Sequence, residues 1–191
     1  GLGVRIGGLD APVLSLARGR IVAQVPYETS AGSVEVTIVG DGAPPERHFA
    51  TAGLPGFAPF AFTRDRRRAY LALNENGTVN SPENPARAGS QVSIFATGLG
   101  RYYESQQSGG VHPAEPKPIS GLFPVCQPRR EVTHLGSAPG LSNGVTQVNV
   151  RLGTAFRDPD GAVPFELSFS PVMPTRPPVV FRPFAVLFFA P

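Results

Sequence analysis

The sequence predicts an all-β protein: two immunoglobulin-like β-sandwich units in tandem, with long loops and little or no helix. Three observations carry this. Apolar residues recur with period two in several short runs, as in half-buried strands. Gly and Pro, 22 of each in 191 residues, fall between those runs, where they mark turns. The helix formers Lys, Glu, Gln and Met are scarce, whereas Val, Phe and Thr are common. A hydrophobic content of 41% suffices for a core, and the length accommodates two domains of ordinary size.

The first unit spans residues 1–63. Val4-Arg5-Ile6 opens it as a strand, and Gly7-Gly8 turns the chain. Val13-Leu14-Ser15-Leu16 reads as a second strand. Ile21, Ala23 and Val25 alternate with Val22 and Gln24 until Pro26 stops the strand. After Ser30-Ala31-Gly32, Val34, Val36 and Ile38 alternate with Glu35 and Thr37. Residues 41–45 form a loop, and residues 56–62 lead out of the unit as an extended segment.

Residues 64–69 read as an Arg-rich linker and residues 70–191 as the second unit. Asn76-Gly77 between Leu73 and Val79 predicts a tight reversal, because both turn residues tolerate positive φ. Val92-Ser93-Ile94-Phe95-Ala96 is the clearest strand. Residues 101–118 are polar and rich in Gly, Ser and Pro, which predicts a long exposed loop. Val148, Val150 and Leu152 repeat the alternation of Ile21, Ala23 and Val25. Val163, Phe165, Leu167 and Phe169 repeat that of Val34, Val36 and Ile38. Such a repeat favours two related sandwiches over one barrel. Residues 179–191 are the most apolar stretch, of strand length and too short to span a membrane as a helix.

Ala23-Gln24-Val25-Pro26-Tyr27-Glu28, Pro55-Gly56-Phe57, residues 72–85, Gly89-Ser90, residues 96–100, Ala138-Pro139-Gly140 and residues 147–151 together carry a resemblance. The chain is similar to a family of uncharacterised C-terminal domains found mainly in secreted proteins of Acidobacteria. The resemblance covers nearly the whole chain and is most specific over residues 80–100. It implies a secreted or surface-attached module of immunoglobulin-like sandwiches, with no assigned catalytic residues. Family members usually carry a further strand before the position of Val4, which this chain lacks. Residues 123–130, with Cys126, also depart from the family pattern.

The charge is thin, with a net +3 and only 16% charged residues. Arg64, Arg66, Arg67 and Arg68 form its one cluster. Without a broad basic patch and interleaved aromatics, it reads as a solvated linker and argues against nucleic-acid binding. Cys126 is the only cysteine, so no intrachain disulfide forms. It reads as a free thiol, with pairing between chains as the alternative. The chain starts with Gly1 rather than Met, which reads as a processed product or a fragment.

No residue pattern points to catalysis, a cofactor or a metal. His48, His112 and His134 lack ligand spacing. Asp158-Pro159-Asp160-Gly161 reads as a turn, since the remainder of a calcium loop is missing. Ser90, Ser93 and Ser105 sit in no nucleophile elbow. Asn76-Gly77-Thr78 fits a glycosylation sequon, with the hairpin turn as the plainer reading. The resulting expectation is an extracellular, non-enzymatic structural protein, a filament or surface-layer subunit assembled by donor-strand exchange. Val4 and Ile6 at one end and Phe184, Val186 and Phe188 at the other would form the subunit interface, giving a homopolymer. The alternative is an adhesive module of a larger secreted protein that binds carbohydrate or a surface protein. It would use residues 101–118, where Tyr102 and Tyr103 could stack on a glycan or pack at a strand end.

Overall fold

A computed structural model describes residues 1–53, 56–64, 66–120, 122–127, 131–153, 162–171 and 185–188. Phe184 and the turn expected at residues 158–161 lie outside them. The described residues are all-β, without helix, and their sheets stack as a β-sandwich. Among them, no helix is long and apolar enough to cross a membrane.

The first sheet is built from β1 (Gly3–Ile6) and β2 (Leu9–Asp10), joined through Gly7-Gly8. The two-stranded hairpin of β3 (Val13–Ala17) and β4 (Arg20–Ala23) follows. Next come β5 (Gly32–Val39) and β6 (Glu46–Ala52), which complete a sheet of order β2-β1-β5-β6. Val4, Ile6, Ala11 and Val34 form a small core. Ile21 and Ala23 of the hairpin cover it, so this half is two-layered.

The larger half begins earlier than the sequence suggests. β7 (Ala58–Pro59) pairs with β11 (Gln91–Thr97). β8 (Ala61–Arg64) pairs with β9 (Arg67–Tyr70). The boundary at residue 63 and the linker at 64–69 are therefore corrected. The arginines sit on a hairpin, with Arg66 at its turn in the left-handed conformation (φ 63°). Hydrogen-bond pairing of the flanking strands outweighs the polarity that suggested a linker.

β10 (Ala72–Asn74), β11, β13 (Glu131–Ser137) and β14 (Val145–Arg151) form one sheet, ordered β10-β11-β14-β13. β12 (Leu122–Gln127), β15 (Ala162–Pro171) and β16 (Ala185–Phe188) join β9 and β8 in another, ordered β12-β15-β16-β9-β8. Period-two alternation puts Val92 opposite Val150 and Ile94 opposite Val148 on the same face. All four are fully buried. Tyr70 of β9 and Leu187 of β16 share their core. Burying each such side chain contributes roughly 1.5–3 kcal/mol.

Neither terminal strand lacks a partner. β1 lies between β2 and β5. Val4 and Ile6 are core residues of their own sheet rather than a subunit interface. β16 pairs with β15 on one side and, in parallel, with β9 on the other. Val186 lies opposite Pro164 and Ala69, and Phe188 opposite Ala162. A strand flanked on both sides has few free backbone groups to offer another subunit. Donation would first have to break both ladders, so the exchange interface is corrected at both ends.

The supposed repeat also diverges. Among the described residues β14 is flanked by β11 and β13, whereas β4 has β3 alone. Cys126 sits on β12, its backbone opposite Leu167.

Candidate functional site

The two halves meet around residues 24–29, which follow β4. Up to Ala23 the alternation holds. It would then bury Val25, yet Val25 is exposed and Gln24 is 7% exposed. The reason lies 85 residues away. Gln24 Oε1 accepts the Gly109 N–H at 2.9 Å, satisfying a donor that burial would otherwise strand.

Most of residues 101–118 are exposed, as the sequence predicts, but the segment is tied down at buried Gln106 and His112. Gln106 is fully buried and uses its whole amide. Its Nε2 donates to the Tyr27 hydroxyl at 2.6 Å and the Asn143 carbonyl at 2.8 Å. Its Oε1 accepts the Tyr102 N–H at 2.9 Å. The Tyr27 hydroxyl in turn donates to the Asn143 carbonyl at 2.6 Å. The Tyr27 N–H donates to Ser108 Oγ at 3.0 Å. Burial pushes the Tyr27 phenol above its ordinary value, with Gln106 opposing.

A second group continues this lock. His112 is 3% exposed. Its Nε2 lies 2.7 Å from the Val145 carbonyl, which can only accept, so Nε2 carries the proton. Its Nδ1 then accepts from the Tyr103 hydroxyl at 2.8 Å. Asn143 Oδ1 competes for the same hydroxyl proton at 3.1 Å. Burial lowers the His112 pKa, against the hydrogen bond to Val145.

Tyr102 packs edge-on against Tyr103, their ring centroids 5.4 Å apart. Its hydroxyl is sealed from solvent. Burial raises its pKa, opposed by Thr146. Neither tyrosine is an exposed platform for a sugar. Both are half-buried on the loop.

Beside the lock opens a cleft of about 790 Å³. Leu14 and Val22 of the hairpin, Ala52 of β6, Phe60, and Gly98 after β11 contribute to its walls. Gly98, at φ 94°, lets the backbone of Gly56 approach so closely that the Gly56 N–H donates to the Gly98 carbonyl at 2.6 Å. Arg101 stands at the wall. It pairs with Glu28 and lies over the Tyr27 ring, 5.4 Å from its centroid. Two wall residues, Gln24 and Thr29, hold side-chain polar atoms, Nε2 and Oγ1, that are sealed from solvent rather than turned into the cleft.

The three histidines stay apart. His48 meets Glu46 at 2.8 Å, and His134 Nε2 meets the Ser137 carbonyl at 3.1 Å. Among the described residues no His, Cys, Asp and Glu cluster could hold a metal.

Sequence reasoning passed over Gln24, Tyr27, Thr29, Gln106 and Asn143. The available signal was the placing of amide side chains in Gly-flanked stretches, at Gly109-Gly110 and Gly144. There, a Cβ on Gly110 would come within 2.6 Å of Asn143 Nδ2. No protein-family model, curated protein or solved structure matches the chain.

Proposed function

We propose that this chain is a non-enzymatic, ligand-binding module of a secreted protein, built on immunoglobulin-like sandwiches, whose site is the cleft between its two halves. One observation carries the reading: a cleft of about 790 Å³ with hydrocarbon walls at Leu14, Val22, Ala52 and Phe60. The polar lock supports the same reading by fixing the walls relative to one another, since a preformed site binds at lower entropic cost. The resemblance to secreted C-terminal domains supports the extracellular setting.

Titrating the full chain with a panel of neutral, charged and saccharide small molecules, followed by amide NMR, tests the proposal. Expected are saturable shifts at Ala23, Ala52, Thr97 and Gly144. If no panel member moves them, or if the shifts fall on other surfaces, the reading fails.

A second reading, a self-assembling structural protein, has one observation in its favour. β6 is the edge of its sheet and exposes Phe49 to 76%, while β3 exposes Leu16 to 64%. Exposed apolar edges pair with other chains. Mass photometry separates the two: multimers abolished by Phe49→Lys would favour assembly, and a monomer at micromolar concentration favours the binding module.

A further inference from the structure

We infer that β6 is the interface of a two-fold symmetric homodimer, in which the β6 edges of two copies pair antiparallel with Phe49 opposite the partner's Phe49. The inference rests on the self-assembly reading and adds the strand, its register and the size at which assembly stops.

Sheets guard their edges against such pairing by shortness, bulges, prolines or cover. Among the described residues the other edges of this fold use these devices. β2 and β7 have two residues, β10 three, β4 and β8 four. β12 carries Pro124. β3 is bulged between Val13 and Ser15. β13 is bulged between Val132 and His134, and Lys117 and Ile119 bond to its backbone. β6 has none of these. Its seven residues pair with β5 without a register shift, and Glu46 to Thr51 are exposed.

The N–H and C=O of a strand residue point to one side, and the side alternates along the strand. The Gly7 N–H donates to the Glu35 carbonyl at 2.9 Å, so the Glu35 backbone faces β1. Phe49, opposite Glu35, therefore turns its own N–H and C=O away from β5. Arg47 and Thr51, two residues to either side, turn the same way. No turn or loop of the described chain bonds these three backbones. The charges of β6 are already matched within its sheet: Arg47 meets Glu35 at 3.6 Å, and His48 meets Glu46 at 2.8 Å. What remains is Phe49, exposed to 76%.

A second copy fits this edge because the edge complements itself. With the two-fold axis at Phe49, Arg47 falls opposite the partner's Thr51 and Thr51 opposite the partner's Arg47. All three outward residues then exchange both hydrogen bonds, and the two phenyl rings cover each other. Glu46 falls opposite the partner's Ala52 and His48 opposite the partner's Ala50, so no like charges meet. Moving the axis to His48 sets that residue against itself and Thr51 opposite the partner's Pro45, which has no N–H. Moving it to Ala50 parts the rings and carries Arg47 past the end of the strand. Each copy contributes the same edge, so the contact closes at two chains.

Sedimentation of the full chain from about 1 to about 200 µM is expected to show monomer and dimer and nothing larger. Over that range the amides of Arg47, Phe49 and Thr51 should gain at least about tenfold protection from hydrogen exchange, and that of Gly42 in the β5–β6 turn should not. Phe49→Pro removes the central donor without breaking a bond inside the chain, since proline is tolerated where an edge N–H faces solvent. It should melt near the native chain and stay monomeric. Phe49→Lys keeps the N–H but sets two like charges face to face, which should weaken the dimer at least about tenfold.

A dimer that survives both variants, protection at other amides in place of these three, or species larger than a dimer overturns the inference, and the self-assembly reading then stands on another surface. If Phe49→Pro does not fold, Phe49→Lys and the amide protection decide. A chain that stays monomeric throughout removes this inference and the self-assembly reading together and leaves the cleft reading intact.

Discussion

Gln106 donates its amide Nε2 to the Tyr27 hydroxyl at 2.6 Å, across 79 residues of sequence and between the two halves of the fold. Because the same Nε2 also reaches the Asn143 carbonyl, removing the hydroxyl leaves Gln106 with one of its two acceptors. Tyr27→Phe should therefore destabilise by about 1–2 kcal/mol. Gln106→Leu removes more: the Tyr102 N–H loses its acceptor, and the Tyr27 hydroxyl and the Asn143 carbonyl, still bonded to each other, each lose a second bond. It should cost about 3 kcal/mol or more. Urea unfolding of both variants checks the order; equal losses would mean that the lock does not act as a unit centred on Gln106.

His112 makes the lock sensitive to acid. Burial lowers its pKa below the ordinary 6.5, so between the two values the unfolded chain holds a proton that the folded chain does not. Stability is then complete above about pH 6.5, falls as the pH drops through the window beneath it, and levels off below the folded pKa. The loss should stay gradual. A protonated Nδ1 can donate to the Tyr103 oxygen, and Tyr103 can give its proton to Asn143 Oδ1. Urea midpoints measured from about pH 7.5 to about pH 5.5 should decline in the native chain and flatten in His112→Gln. Parallel curves would place the acid sensitivity elsewhere.

How far the fold could be read depended on whether the deciding contact was local. Val92, Ile94, Val148 and Val150 announce themselves because alternation within one strand fixes which face is buried. The hairpin at Asn76-Gly77 is equally local. Gln24 is the reverse case. Its own strand predicts Val25 inside, and only the Gly109 N–H, remote in sequence, explains the switch. Tyr102 and Tyr103 were visible as candidates but not their roles, since His112 and Asn143 reach them only in the folded chain. The terminal strands misled for the same reason. Their apolarity was legible; that β9 and β15 enclose β16, and β2 and β5 enclose β1, was not.

The Asn76-Gly77 reversal has a more specific form than the dipeptide suggests. The Gly77 N–H donates to the Asn74 carbonyl, and the Asn74 N–H to the Thr78 carbonyl, both at 2.8 Å. Among the two turn residues, Gly77 alone takes positive φ, at 80°. This is a turn closed by a glycine bulge. Asn76 contributes through its side chain: Oδ1 accepts from the Thr78 N–H at 3.1 Å and hydroxyl at 2.6 Å. Gly77→Ala should cost about 1–2 kcal/mol from the left-handed backbone, whereas Asn76→Ala should cost about 1 kcal/mol at most. Thermal melts of the pair should rank them in that order. The reverse ranking would mean that the Asn76 side chain, rather than the glycine backbone, dictates the reversal.

Gly98 is the position where one methyl group should do most harm. A Cβ there would sit 2.2 Å from the carbonyl oxygen of Gly56, a residue whose N–H donates to the Gly98 carbonyl. The residue also takes φ 94°, which L side chains avoid. Gly98→Ala therefore combines backbone strain with an overlap that only chain movement can relieve. A loss of about 3 kcal/mol is expected, lowering the melting temperature by roughly 6–12 °C for a chain of this size. Gly53→Ala, on the same cleft but facing open space, should melt within about 1–2 °C of the native chain. Gly56 and Gly98 both form cleft wall. A variant that melts like the native chain would mean that the close approach of Gly56 and Gly98 does not hold this wall in place.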